Sequence, residues 1–121
     1  MRPLSKNDLD KFLKRFDNFI DAELRSIEII TPTAIKITLA TQDSARGFDW
    51  ITVELEFSGV YDARLLEGSK LPYIDMSDGI TLIYADNCFG FGIGAYDNFS
   101  AITNSTCYLK STSLKYKEDS F

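Results

Sequence analysis

Residues 50–57 read Trp-Ile-Thr-Val-Glu-Leu-Glu-Phe, an alternation without a break. Ile51, Val53, Leu55 and Phe57 fall in one phase, and Trp50, Thr52, Glu54 and Glu56 in the other. A period of two puts each set on its own face of a β-strand, whereas a helix would scatter both sets around its axis. One apolar face and one polar face define a half-buried strand of an antiparallel sheet, which needs an apolar surface opposite it.

The N-terminal stretch Ser5–Ile20 offers such a surface. Leu9, Phe12, Leu13, Phe16, Phe19 and Ile20 recur at helical spacing, with Lys11, Lys14, Arg15 and Asp17 on the other side. Ser5 followed three positions later by Asp8 reads as an N-terminal cap, and the pattern predicts an amphipathic helix of about four turns. From there on the period is two. Strands are expected at 23–30 and 34–41, joined through Thr31-Pro32-Thr33, then at 50–57 with a bend at Gly59. Further extended segments are expected around 60–66, 73–76, 80–86 and 88–96, and after residue 101. The order is one helix and then strands with short turns. It predicts a single α+β domain over residues 1–121, with the N-terminal amphipathic helix packed on a curved, mainly antiparallel sheet of about six to eight strands.

Gly90, Gly92 and Gly94 in Cys-Phe-Gly-Phe-Gly-Ile-Gly-Ala-Tyr resemble a phosphate cradle only at first sight. A dinucleotide fingerprint needs a strand-to-helix turn, and no helix signal follows; a P-loop needs Gly-Lys-Ser or Gly-Lys-Thr, which the chain lacks. In a strand these glycines share one bare face, and the expected occupant of that trough is the Phe12, Phe16, Phe19 stripe.

Composition narrows the chemistry. The chain contains no histidine, so the Ser-His-Asp and Cys-His nucleophile arrangements and the histidine zinc sites are ruled out. Cys88 and Cys107 are too sparse for a disulfide framework and are expected as reduced thiols. No apolar run approaches the ~18 residues of a membrane span, and the charged N-terminus is unlike a secretory signal, so a cytoplasmic location is expected. Residues 49–79 carry 7 acids against 2 bases, accounting for the chain's net charge of −5. That balance disfavours nucleic acid and anionic membranes and suits a basic partner. No cofactor or metal is expected. Asp43 and Asp49 flank Ser-Ala-Arg-Gly-Phe without an EF-hand pattern.

The expected recognition surface is the outward face of residues 50–57. Trp50 shares its phase with Glu54 and Glu56, and an exposed indole beside carboxylates is the composition of a hot spot for a basic protein. Tyr61, Asp75 and Asp78 are expected to extend it, completing the partner-binding set Trp50, Glu54, Glu56, Tyr61, Asp75 and Asp78. A different function would use Tyr84, Tyr96, Asp86 and Asp97 in a concavity of the sheet, as a small-ligand site or a carboxylate-based enzyme.

Phe-Asp-Asn-Phe-Ile-Asp-Ala-Glu-Leu-Arg-Ser-Ile-Glu-Ile, followed by Trp-Ile-Thr-Val-Glu-Leu-Glu-Phe-Ser-Gly-Val, resembles small bacterial immunity-type proteins of polymorphic or contact-dependent toxin systems. Those proteins carry a helix, a segment of the type F-H-D-A-x-L-x-S-I and a strand ending F-x-G-V. Asp21, Ala22, Leu24, Ser26, Ile27, Phe57, Gly59 and Val60 match, over about residues 12–65, and Ile20 stands where the pattern has histidine. The resemblance implies a non-enzymatic protein that binds and occludes a cognate toxin domain.

Overall fold

The computed structural model describes residues 1–121. It is an α+β domain of one short helix and nine strands: β1 (Arg2–Pro3), α1 (Leu9–Arg15), β2 (Glu23–Thr31), β3 (Ala34–Asp43), β4 (Asp49–Ser58), β5 (Asp62–Arg64), β6 (Ile80–Ala85), β7 (Cys88–Ile93), β8 (Tyr108–Ser111) and β9 (Ser113–Ser120). All pairings are antiparallel. The strands form two sheets rather than one curved sheet, ordered β1-β9-β4-β3-β2 and β5-β8-β7-β6.

Two neighbouring crossovers make the division. After β4 the chain turns at Gly59 (φ +67°) into the second sheet, and at Thr112 it returns from β8 to β9. A Cβ on Gly59 would lie 2.0 Å from the Thr112 hydroxyl oxygen, so the two crossovers touch where only glycine fits. The bend expected at Gly59 is a change of sheet.

The alternation of residues 50–57 is reproduced in burial. Ile51, Val53, Leu55 and Phe57 are enclosed, in register with Leu39, Ile37 and Ile35 of β3 and with Tyr116 and Leu114 of β9. Across the core, Phe57 meets Phe91 of β7 with ring centroids 5.5 Å apart. One continuous cluster therefore joins both sheets and the helix.

The helix is shorter than its pattern. Single 3-10 turns at Lys6–Asp8 and Asp17–Phe19 flank the seven residues of α1. Ser5 makes no side-chain cap; its hydroxyl donates to the Asp8 carboxylate at 2.8 Å. The stripe holds although the helix breaks: Phe12, Phe16 and Phe19 stack on one another, and Phe12 meets Tyr116 at 4.9 Å.

The glycine trough is a packing device with a different occupant. Phe89, Phe91 and Ile93 face the core, and the bare side is filled by the segment after β7. A Cβ on Gly90 would meet Phe99 and Ile102 at 2.9 and 3.0 Å, and one on Gly92 would meet Ile102 at 3.2 Å. The helical phenylalanines are buried in the core cluster, with Phe12 against Tyr116, and are not among the groups over these glycines. Gly92→Val is expected to cost about 1–3 kcal/mol by overpacking against the fully buried Ile102, read as a lower denaturant midpoint at unchanged slope.

Candidate functional site

The site begins with a carboxylate in an unexpected phase. Asp43 continues the inward row Ile35, Ile37, Leu39 and Thr41, and Glu118 continues Leu114 and Tyr116, so both acids point inward at the end of the first sheet. Arg15, in the last turn of α1, meets them there. Its guanidinium donates to both oxygens of Asp43 at 2.8 and 2.6 Å and also to Glu118. Arg46 and Arg2 complete the network against Asp43 and Glu118. The two-pronged bond from Arg15, with further help from the Ala45 N–H, holds the Asp43 carboxyl below its ordinary range despite complete burial. The same pairing raises Arg15 further.

This network fixes the loop between β3 and β4. Asp43 accepts the Ala45 N–H at 2.9 Å, its backbone carbonyl accepts the Phe48 N–H at 2.8 Å, and Gln42 donates to the Phe48 carbonyl at 3.2 Å. Phe48 itself sits in left-handed backbone (φ 65°), sparsely populated by aromatic residues, and the residue is 63% exposed. Two residues on, Trp50 is 41% exposed. An apolar ring held outward on strained, buttressed backbone loses little conformational freedom when it binds.

Beside it lies a second strained turn. Asp17, Asn18, Phe19 and Asp21 all have φ between 50 and 60°. Asp and Asn tolerate that region; Phe19 is held in it by complete burial of its ring. The loop Met76–Gly79 clamps the turn from outside, the Met76 carbonyl accepting the Asp21 N–H at 2.9 Å. Gly79 (φ +68°) passes so close that a Cβ would lie 2.1 Å from the Asn18 carbonyl oxygen. The result is an exposed Ile20 between two clefts.

The first cleft, about 520 Å³, is lined by Ile20, Phe48 and Trp50 with Lys14, Arg15, Asp17, Asp21 and Gln42 among its other residues. The second, about 440 Å³, also contains Ile20 and carries Asp10, Asp78, Tyr96 and Asp97 over an aliphatic floor. Asp10, Asp17, Asp21, Asp78 and Asp97 make no ion pair, and Lys14 is the one basic lining residue free of a carboxylate. This end of the molecule therefore combines an exposed apolar cluster with uncompensated negative charge.

Of the residues expected on the recognition surface, Trp50 and Asp78 come together here, in clefts that share Ile20. Glu54 and Glu56 do face outward on β4, but farther along the strand. Glu54 is bridged by Lys36 at 3.3 Å, and Lys36 also reaches Glu28; Glu54 first and Glu28 second raise the lysine's pKa. Glu56 lies in register between Lys36 and Lys115, ~20 Å along the strand from Trp50. Tyr61 lies past the far end of β4, its hydroxyl pushed up to about 12 by desolvation and then by the Cys88 thiol beside it. Asp75 is exposed and accepts the Ser77 N–H at 2.9 Å, which keeps its pKa low. Next to Trp50 on the outer face stand Phe121, with ring centroids 6.0 Å apart, and Arg25, 4.9 Å above the Phe121 ring.

The four residues of the ligand-site expectation separate. Tyr96 and Asp97 line the second cleft, whereas Tyr84 stacks on Phe89 beside the β6–β7 turn that contains Asp86. No group of three acidic or cysteine side chains is placed to share a metal ion. Both cysteines are free, and burial pushes the Cys107 thiol up to about 11. No helix is long and apolar enough to cross a membrane.

Phe48 and Ile20 went unread as site residues. The available signal was Asp43 in the inward phase of β3, which marks a buried charge organising the loop that follows. No family model, curated protein or solved structure matches this chain.

Proposed function

We propose that the protein is an immunity-type binder that occludes a cognate bacterial toxin domain, docking through the end of the molecule that carries Ile20, Phe48 and Trp50. The observation that carries this reading is the exposed pair of Phe48, on a loop held by a buried carboxylate, and Trp50, at the start of β4. Aromatic anchors with little freedom to lose are what interface hot spots are made of. The unpaired Asp10, Asp17, Asp21, Asp78 and Asp97 around them favour a basic partner surface. The resemblance of residues 12–65 to immunity-type proteins points the same way, and the turn Asp17–Asp21 lies inside that segment.

Inhibition on this account is steric: the bound protein covers the toxin's working surface, and the protein itself performs no chemistry. Co-expression with the proposed cognate toxin domain tests the reading. Growth is expected to be restored by the wild-type chain and not by a stably folded Phe48→Ala/Trp50→Ala variant; restoration by both would refute it.

Electrostatic steering gives a second expected result. Association with the toxin domain, followed by stopped-flow using the single Trp50 as reporter, should slow at least ~10-fold between ~0.02 and ~0.5 M salt, with dissociation nearly constant. An association rate independent of salt would remove the acidic rim from the account.

A further inference from the structure

The first cleft holds a buried hydroxyl that nothing in the chain answers. Thr41, in the inward row of β3, is 3% exposed and lines the cleft, and its side chain makes no hydrogen bond. Every fully enclosed side-chain oxygen has a partner, so the Thr41 oxygen must reach the open space of the cleft. A nearly enclosed hydroxyl without a partner calls for one from outside.

Its neighbours repeat the pattern. Gln42 spends its amide nitrogen on the Phe48 carbonyl and leaves its side-chain oxygen free. Asp17 and Asp21 belong to no ion pair. Their two negative charges face one free cation, Lys14, because Arg15 is already matched by Asp43 and Glu118. The lining is therefore one positive charge short. Phe48 stacks on no other ring, and no cation of the chain lies over Phe48 or Trp50.

We propose that this cleft is a socket for one arginine side chain of the basic partner, stacked on the exposed rings and donating to acceptors drawn from Thr41, Gln42, Asp17 and Asp21. The inference rests on the proposed function and adds what the partner must present. A guanidinium supplies the single charge, five N–H donors in one plane and a weakly hydrated face that stacks on aromatic rings. Lysine supplies the charge without the plane, and its compact ammonium is strongly hydrated. A neutral aromatic side chain would cover the rings and leave both carboxylates unanswered.

The socket is tested without the partner. The probe is acetyl-Gly-Arg-Gly-amide at constant ionic strength, and the readout is the fluorescence of Trp50, the single tryptophan. A saturable change is expected with a Kd on the order of 1–10 mM, the scale of one side chain binding alone. The lysine peptide should bind at least ~5-fold more weakly, and the citrulline peptide, uncharged at the same shape, at least ~10-fold more weakly. Thr41→Val should weaken the arginine peptide roughly 3- to 10-fold while its melting temperature stays at or above wild type, since an unpartnered hydroxyl adds nothing to the fold. Asp17→Asn/Asp21→Asn should erase the preference for arginine over citrulline; asparagine tolerates the left-handed backbone of both positions, so the fold is kept. No saturable change up to ~50 mM peptide, or equal binding of the citrulline peptide, would overturn the socket. The occlusion reading fails on a different result, rescue of growth by the Phe48→Ala/Trp50→Ala variant, so the two failures are told apart.

Discussion

Asp43→Ala is expected to lower stability by about 3 kcal/mol, the largest loss from any single polar substitution in this chain. The figure follows from what the substitution leaves behind. Arg15 keeps Glu118 but loses the two-pronged partner that neutralised it, and the Ala45 N–H loses its acceptor. Breaking one side of an enclosed ion pair costs more than the pair contributes as a whole, because the remaining charge, here a guanidinium about a quarter exposed, stays partly desolvated. The pair of Lys36 and Glu54 is the contrast, because neither member is fully enclosed as Asp43 is: Glu54→Ala should cost under ~1 kcal/mol. Urea denaturation of the three proteins separates these cases by midpoint.

The same group sets part of the acid limb. In the folded protein Asp43 titrates below its ordinary value of 3.8, chiefly because Arg15 bonds the carboxylate. A depressed carboxylate stabilises the fold fully above the unfolded value, and that contribution is lost as pH falls through the folded value. The stability difference between wild type and Asp43→Asn should thus be constant above about pH 5 and shrink as pH falls below about 4. A difference that stayed constant down to pH 2 would contradict the assignment of that limb to Asp43.

If the protein acts as proposed, Phe48→Ala and Trp50→Ala are each expected to weaken binding of the toxin domain by about 2 kcal/mol or more, roughly 30-fold, while stability changes little because both residues are exposed. The rings are neighbours on one cleft, so their losses should not add; a double-mutant cycle should give a coupling energy of about 0.5 kcal/mol or more. The loss should appear mainly as faster dissociation, since apolar anchors act after encounter. Asp43→Asn should also weaken binding, through the loop it holds, although Asp43 is enclosed and cannot touch a partner.

Strand phase was readable wherever one face is buried. Ile51, Val53, Leu55 and Phe57 announce their burial by alternation, and the Phe12–Phe16–Phe19 stripe announces its contact with a core. What alternation does not carry is the identity of the surface opposite. Phe91 meets Phe57 across the core, but Gly90 and Gly92 are covered by Phe99 and Ile102 from the chain just downstream, which no periodicity marks. The break in the helix is similar: Phe19 continues the apolar spacing, and only tertiary burial places it in left-handed backbone.

Charge along the chain maps only partly onto charge in space. The acid-rich segment 49–79 spends Glu54 on Lys36 and Asp62 on Lys110 and leaves Asp49, Glu56, Glu67, Asp75 and Asp78 without an ion pair. Around Ile20 the unpaired acids are Asp78 of that segment, Asp97, and Asp10, Asp17 and Asp21 of the nearly neutral N-terminal segment. Trp50 was legible because it is a tryptophan in a polar phase. Phe48 was not, because its exposure depends on a loop geometry dictated by Asp43 and on a positive φ that no local sequence preference favours.

Titration calorimetry with the purified toxin domain compares three proteins: wild type, Phe48→Ala/Trp50→Ala, and Glu54→Ala/Glu56→Ala. If docking uses the end of the molecule bearing Ile20, Phe48 and Trp50, the aromatic double variant loses at least ~100-fold in affinity and the glutamate variant stays within ~5-fold of wild type. Wild-type affinity in the aromatic variant, with binding lost in the glutamate variant, would move the interface to the middle of the outer sheet face and contradict the account.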